Sequence, residues 1–142
     1  MKNDLKKAVD VLDSEGRALV LVRDGAVLMK DDRRGIGPMY DIATKERRLA
    51  CGSSLADKVI GKAAAMLAVD AGIDKLYAAV LSEEAERVLS EEGIYYEFKR
   101  KVPFIQNRQK SGKCPMELLA GDLAHGQVEE LKKRLAEFLE KK

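Results

Sequence analysis

The sequence predicts an α/β protein, a three-layer α/β/α sandwich with a mixed sheet that starts with a β-hairpin. Three observations carry this. Two β-prone runs flank an Asp-Gly turn near the amino end. A continuous apolar run, Leu76 to Leu81, has the unbroken hydrophobicity of a strand buried on both faces in a parallel sheet. Helical periodicity alternates with such strands through the remainder.

Leu5, Ala8, Val9 and Leu12 fall at helical spacing, and Gly16 ends that helix. Ala18 to Val22 and Ala26 to Met29, joined by Asp24-Gly25, form the hairpin. Lys30 to Gly37 is a charged, glycine-bearing loop, and Pro38 suits the first turn of a short helix to about Arg48. Cys51 to Ser54 is a turn. Ser54 and Asp57 match the S-x-x-D capping pattern, which predicts a helix from Ser54 through Val59, Ile60, Ala63, Ala64, Leu67 and Ala68, ending at Ala71-Gly72. Past its first turn this helix is apolar nearly all round and should be buried. After the Leu76–Leu81 strand, Ser82 caps a helix of Glu83 to Glu92 that Gly93 ends, and Ile94 to Phe98 is a further strand. A polar loop from Gln106 to Lys113 precedes a short helix opened by Pro115, and a last amphipathic helix spans about His125 to Glu140.

The 142 residues fit one domain, 1–142, and a chain this long buries about two thirds of its unfolded surface. With 46% hydrophobic and 35% charged residues, the chain lacks the composition of a disordered one. Its 26 basic and 24 acidic residues leave a net charge of +2, against the basic excess of a dedicated DNA-binding module. Two widely spaced cysteines, Cys51 and Cys114, form no CxxC pair and suit a reducing compartment. No signal peptide or membrane span is expected, which predicts a cytoplasmic protein.

Cys114 precedes Pro115 at the expected N-cap of a helix, where the dipole and free N–H groups would favour a thiolate. It is a candidate nucleophile; the bland alternative is an inert capping side chain. Asp57, Lys58 and Lys62 fall at the expected start of the central helix, with the two lysines four apart on one face. They read as a phosphate or carboxylate site at a helix N-terminus, with Asp57 on a sugar hydroxyl or acting as a base. The alternative is that Asp57 only completes the cap and the lysines are solvated. The loop Asn107 to Lys113 is basic and reads as a lid over an anion or as an ordinary exposed loop. His125, the single histidine, has no adjacent nucleophile and reads as a surface or capping residue. The basic pairs Arg33-Arg34 and Arg47-Arg48 and the run Lys99-Arg100-Lys101 read as solvated faces, since acidic residues interleave with them.

The order of elements resembles the cytidine-deaminase-like fold. The stretches Ala56-Asp57-Lys58-Val59-Ile60-Gly61-Lys62-Ala63-Ala64-Ala65 and Asn107-Arg108 to Cys114-Pro115-Met116-Glu117 resemble an uncharacterised family of deaminase-fold proteins, known only as a domain of unknown function. The resemblance runs from about Ala18 to Asp122. It implies that the reactive region lies where two helix N-termini meet, and it implies no reaction. A zinc deaminase needs one His or Cys and two further Cys, with a Glu to shuttle protons. The corresponding places hold Asp57 and Lys58, then Cys114 with Glu117 three residues on, so that ligand set is missing.

These readings combine into a metal-free, cofactor-free pocket for a nucleotide or nucleoside derivative. Asp57 and Cys114 are its candidate catalytic groups, and Lys58, Lys62, Asn107, Arg108 and Glu117 its candidate binding groups. The expected partner is a small anionic ligand, with self-association left open. The alternatives are an enzyme with Cys114 as nucleophile and a nucleic-acid or protein interaction module. Metal analysis of gently purified protein is expected to show no stoichiometric zinc. Near-equimolar zinc, lost on Cys114→Ser, would restore a deaminase-like mechanism.

Overall fold

The computed structural model describes residues 3–33, 35–106, 109–124 and 126–140. Helix α1 (Asp4–Glu15) leads into strands β1 (Leu19–Arg23) and β2 (Ala26–Asp31), followed by helices α2 (Gly37–Thr44) and α3 (Arg47–Ala50). Strand β3 (Ser54–Ile60), helix α4 (Lys62–Asp70), strand β4 (Lys75–Ser82), helix α5 (Glu83–Glu91) and strand β5 (Tyr95–Val102) then alternate. Helices α6 (Pro115–Ala120) and α7 (Val128–Glu140) close the chain. The five strands form one sheet in the order β2-β1-β3-β4-β5. Strand β1 runs antiparallel to both its neighbours, and β3, β4 and β5 are mutually parallel.

The hairpin turn has the predicted chemistry. Asp24 and Gly25 both take positive φ, 52° and 78°, as a two-residue hairpin of this hand requires. The buried Asp4 carboxylate accepts the N–H groups of Asp24 and Gly25, tying the turn to the start of α1. Helix α1 covers one face of the sheet: Leu5, Ala8 and Leu12 pack on Val20, Val22, Ala56 and Tyr77. The other face carries the larger core, where Leu19, Leu21, Leu55, Leu76 and Leu81 meet α2, α4, α5, α6 and α7. The layers are therefore three, and unequal.

The helix predicted from Ser54 does not form there. Residues 54–60 are the central strand, paired on one side with β1 and on the other with β4. A capping pattern stabilises a helix by about 1 kcal/mol, whereas this segment satisfies backbone groups in two ladders and buries Leu55, Ala56 and Ile60 completely. Tertiary burial outweighs the local signal. Asp57 and Lys58 accordingly lie on a strand, and Lys58 shares no helix face with Lys62. Helix α4 starts eight residues later than predicted, at Lys62, and is buried as expected from Lys62 through Ala68. The last helix starts at Val128; His125 lies outside the described residues, as do Arg34, Asn107 and Arg108.

No side chain of its own caps α4: its N-cap is Gly61, in extended conformation. The cap comes from Glu117, in the first turn of α6 and 7% exposed. Its carboxylate accepts the Lys62 N–H at 3.1 Å and the Ile105 N–H at 3.0 Å. The carboxylate can approach because Gly61 has no Cβ; one added there would lie 2.7 Å from Glu117 Oε1 and 3.1 Å from Ile105 Cγ1. Gly61→Ala is therefore expected to force these groups apart and lower stability by about 1–3 kcal/mol, the range for overpacking a filled site. Urea unfolding of the two proteins measures it.

Candidate functional site

A cavity of about 570 Å³ opens at the carboxyl end of β3. Ala18 and Leu19 at the start of β1 border it on one side, and Asp32, Arg33 and Ile36 after β2 continue that wall. Ala63 and Ala64 of α4, Ile105 and Gln106, and Cys114, Met116 and Glu117 at the start of α6 complete it. The place follows from topology. From β1 the chain builds outward to β2, then returns to β3 and builds the other way through β4 and β5. Helices α2 and α4, which follow β2 and β3, pack against each other on the larger-core face, and the stretch after β2, the start of α4 and the start of α6 close around the carboxyl end of β3.

Asp57 stands at the floor. It pairs across the sheet with Leu19 of β1 and Ala78 of β4, so it shares their face and points toward the larger core. Its side chain is only partly accessible, with the cavity before it. Desolvation by burial pushes its carboxyl up to about 7, against weaker opposing hydrogen bonds from the Val59 and Lys58 backbone; the charge of Asp31 adds a further upward push. No ion pair neutralises Asp57 among the described residues.

Most of the described charged groups around it are bonded within the chain. The Arg33 guanidinium pairs with Asp31 at 2.8 Å and Asp41 at 2.9 Å, which raises its own affinity for protons and holds Asp31 below the usual carboxylate range. Asp32 pairs with Arg17. Lys58 is exposed at the rim. Lys62, by contrast, is buried, and its ammonium donates to the carbonyls of Leu123 and Gly121 beyond the end of α6. A cation suits that end of a helix. Together with the Glu117 cap, this leaves the first amide and the lysine of α4 already bonded within the chain. Replacing Lys62 would strip buried carbonyls of a donor, so it is not a substitution that spares the fold.

Cys114 is the N-cap of α6 as expected, half-buried in the cavity wall, with its N–H bonded to the Ile105 carbonyl at 2.8 Å. Its side chain makes no cap hydrogen bond. Cys51 is exposed and far along the chain, and both thiols are free. Among the described residues, no three His, Cys, Asp or Glu side chains converge to hold a metal. The structure thus brings Asp57, Lys58, Cys114 and Glu117 to one cavity and turns the Lys62 ammonium away from it. Arg33, Gln106 and the apolar wall of Ile36, Met39, Ile105 and Met116 were not anticipated. The signal that was available is Val59-Ile60-Gly61-Lys62, which reads as a strand, a tight junction and a helix start once Ser54 is not taken as a cap. The basic clusters are largely paired: Arg47 with Asp70, Lys101 with Glu86, Arg33 as above.

The fold and cavity define a class: small three-layer α/β proteins with a pocket at the reversal of a mixed five-stranded sheet. The chain belongs to the TM1506 family, a domain of unknown function (DUF1893), whose model matches residues 7–139. It is similar to the crystal structure of a DUF1893 family protein (TM1506) from Thermotoga maritima, at 24% identity over 96% of this chain and 90% of that one, with a TM-score of 0.84. That likeness shows the fold. No curated protein matches the chain. Among the described residues, no helix is long and apolar enough to cross a membrane.

An acid held at about 7 in the fold and near 4 in the unfolded chain gives a defined pH dependence. Between those values the folded form keeps a proton that the unfolded chain has lost, so the contribution of Asp57 to stability falls as pH rises through the window and is constant above it. Asp57→Asn is therefore expected to be more stable than the parent at about pH 8, by on the order of a few kcal/mol at 1.4 kcal/mol per unit. The gain should shrink toward pH 4. Denaturant midpoints of both proteins across that range check it.

Proposed function

We propose that this cavity binds a small organic molecule of nucleoside or nucleotide size, in a zinc-free, deaminase-like arrangement. One observation carries the reading. Asp57 sits at an inward position of the central strand, at the floor of a largely apolar cavity, and no cation among the described residues offsets its burial. A strongly perturbed acid in a cleft is a signature of a functional site. The cavity volume lies within the roughly 300–1,000 Å³ range of small-molecule pockets. A ligand N–H, or a protonated ring nitrogen, would add to the backbone hydrogen bonds that Asp57 already accepts from Val59 and Lys58. The amino-substituted edge of a nucleobase offers both. A phosphate, if the ligand has one, would lie at the rim with Lys58, since the α4 amide is taken by Glu117. Asn107 and Arg108, which lie outside the described residues, are proposed to contribute as well. A cytoplasmic setting belongs to the same reading.

Cys114 lines the same wall, which favours one second reading, an enzyme in which its thiol attacks the bound molecule. A stable adduct on Cys114 would mark that outcome.

A thermal-shift screen of nucleobases, nucleosides and nucleotides tests the proposal. A ligand at a hundredfold excess over its dissociation constant stabilises by about 2.7 kcal/mol, a shift of several degrees here. Bases with an amino-substituted ring edge should score best, Asp57→Asn should lose the response, and Lys58→Ala should weaken phosphorylated ligands alone. Bound ligand should also protect Cys114, and not Cys51, from alkylation. A flat screen, or ligands whose effect survives Asp57→Asn with Cys114 unprotected, would sink the reading.

A further inference from the structure

Among the described residues, strand β5 is an edge of the sheet, bonded to β4 on one side. Six of its eight residues are exposed, including Tyr95 at 54% and Phe98 at 39%. An eight-residue edge of this kind presents unpaired backbone donors and acceptors to a further strand. Edge lysines ordinarily discourage such pairing, and β5 carries Lys99, Arg100 and Lys101. Lys101 is already neutralised by Glu86 of α5 at 2.8 Å. Glu97 lies two positions before Lys99, on the same face of the strand.

We propose that β5 pairs antiparallel with β5 of a second copy of this chain, centred on Phe98, joining two five-stranded sheets into one. Among registers centred at Glu97, Phe98 or Lys99, symmetry and charge select one. A twofold axis normal to the sheet keeps each face on its own side, so residues directly opposite must both be odd or both be even in number. Centring on Glu97 sets two carboxylates face to face, and centring on Lys99 sets two ammonium groups face to face; like charges directly opposite are destabilising. Centring on Phe98 alone places Glu97 opposite Lys99 of the second copy, twice over. On the other face it sets Phe98 against Phe98 and Tyr96 against Arg100, an aromatic pair flanked by two cation–ring contacts. Tyr96 and Phe98 already stack on each other, at 6.4 Å between ring centres, so the apolar surface is continuous. A groove of about 380 Å³ between α1 and β5 adjoins Glu97; its wall carries Asp10 paired with Lys6, and also Lys75, so the incoming Lys99 is placed on Glu97 at the groove's edge and not inside it. The contact is isologous and closes on itself, so it yields a dimer and not a fibre.

Sedimentation of the full chain over a wide concentration range tests this. The expected species is a dimer in reversible equilibrium with monomer. Glu97→Lys and Lys99→Glu should each shift it to monomer, and the two together should restore it, because the pairing is then reversed in sign. In a Cys51→Ser, Cys114→Ser background, Phe98→Cys should oxidise to a covalent dimer, since only this register brings position 98 against itself. A chain that stays monomeric at all concentrations overturns the proposal. So does a dimer indifferent to both charge variants, or one that the double swap fails to restore while the variants remain folded by circular dichroism.

Discussion

Glu117 lies in the first turn of α6, and its two carboxylate oxygens reach back to the amide of Lys62 and sideways to the amide of Ile105. Three segments distant in sequence depend on that one group: the start of α4, the stretch after β5, and α6 itself. Each contributes to the cavity wall. The contact exists because Gly61 leaves space for the oxygen, and because Lys62 sends its ammonium the other way, to carbonyls at the far end of α6. A carboxylate at one end of α6 and a carbonyl cluster at the other thus fix the short helix against α4. Without that clamp, six residues would make a marginal helix, since isolated helices this short do not hold in water.

The clamp also decides the electrostatics of the pocket. A free helix start would attract an anion. Here the chain supplies its own carboxylate, and the cavity floor beyond it is set by Asp57, with Asp31 close enough to raise it further. Among the described residues, Lys58 lies at the rim, Arg33 is paired with Asp31 and Asp41, and the Lys62 ammonium is bonded to the Gly121 and Leu123 carbonyls. The described floor is therefore acidic. This polarity is the reverse of the one expected when Lys58 and Lys62 are placed together on a helix.

The division of the sheet explains why such a floor is available. Strand β3 is central, flanked by the one antiparallel strand and by the parallel set. Its carboxyl end points into the crevice where the chain reverses its direction of building, so an acidic residue there is buried by the neighbouring strands and still reaches the opening.

Much of the architecture was legible in the chain. The hairpin at Asp24-Gly25, the apolar strand at 76–81, the Ser82 cap, the glycine stops and the apolar α4 are all local or periodic signals, and they survive because local preference and burial agree there. The family resemblance likewise drew Asp57 and Cys114 to attention from sequence. What misled was Ser54 to Asp57, a capping pattern on a segment that the fold uses as its central strand. The pattern concerns a few backbone donors, whereas strand or helix was decided by the partners on both sides, which local sequence does not display. The same holds for Glu117 and Lys62. Their charges and positions were visible, and that one caps the other's helix 55 residues away was not. The sequence by itself determined which segments are apolar, where the chain turns and which residues could carry charge into the interior. Only the tertiary structure decided which charges meet, because Coulomb and hydrogen-bond energies act over a few ångströms of space, and the distances between segments are set by packing.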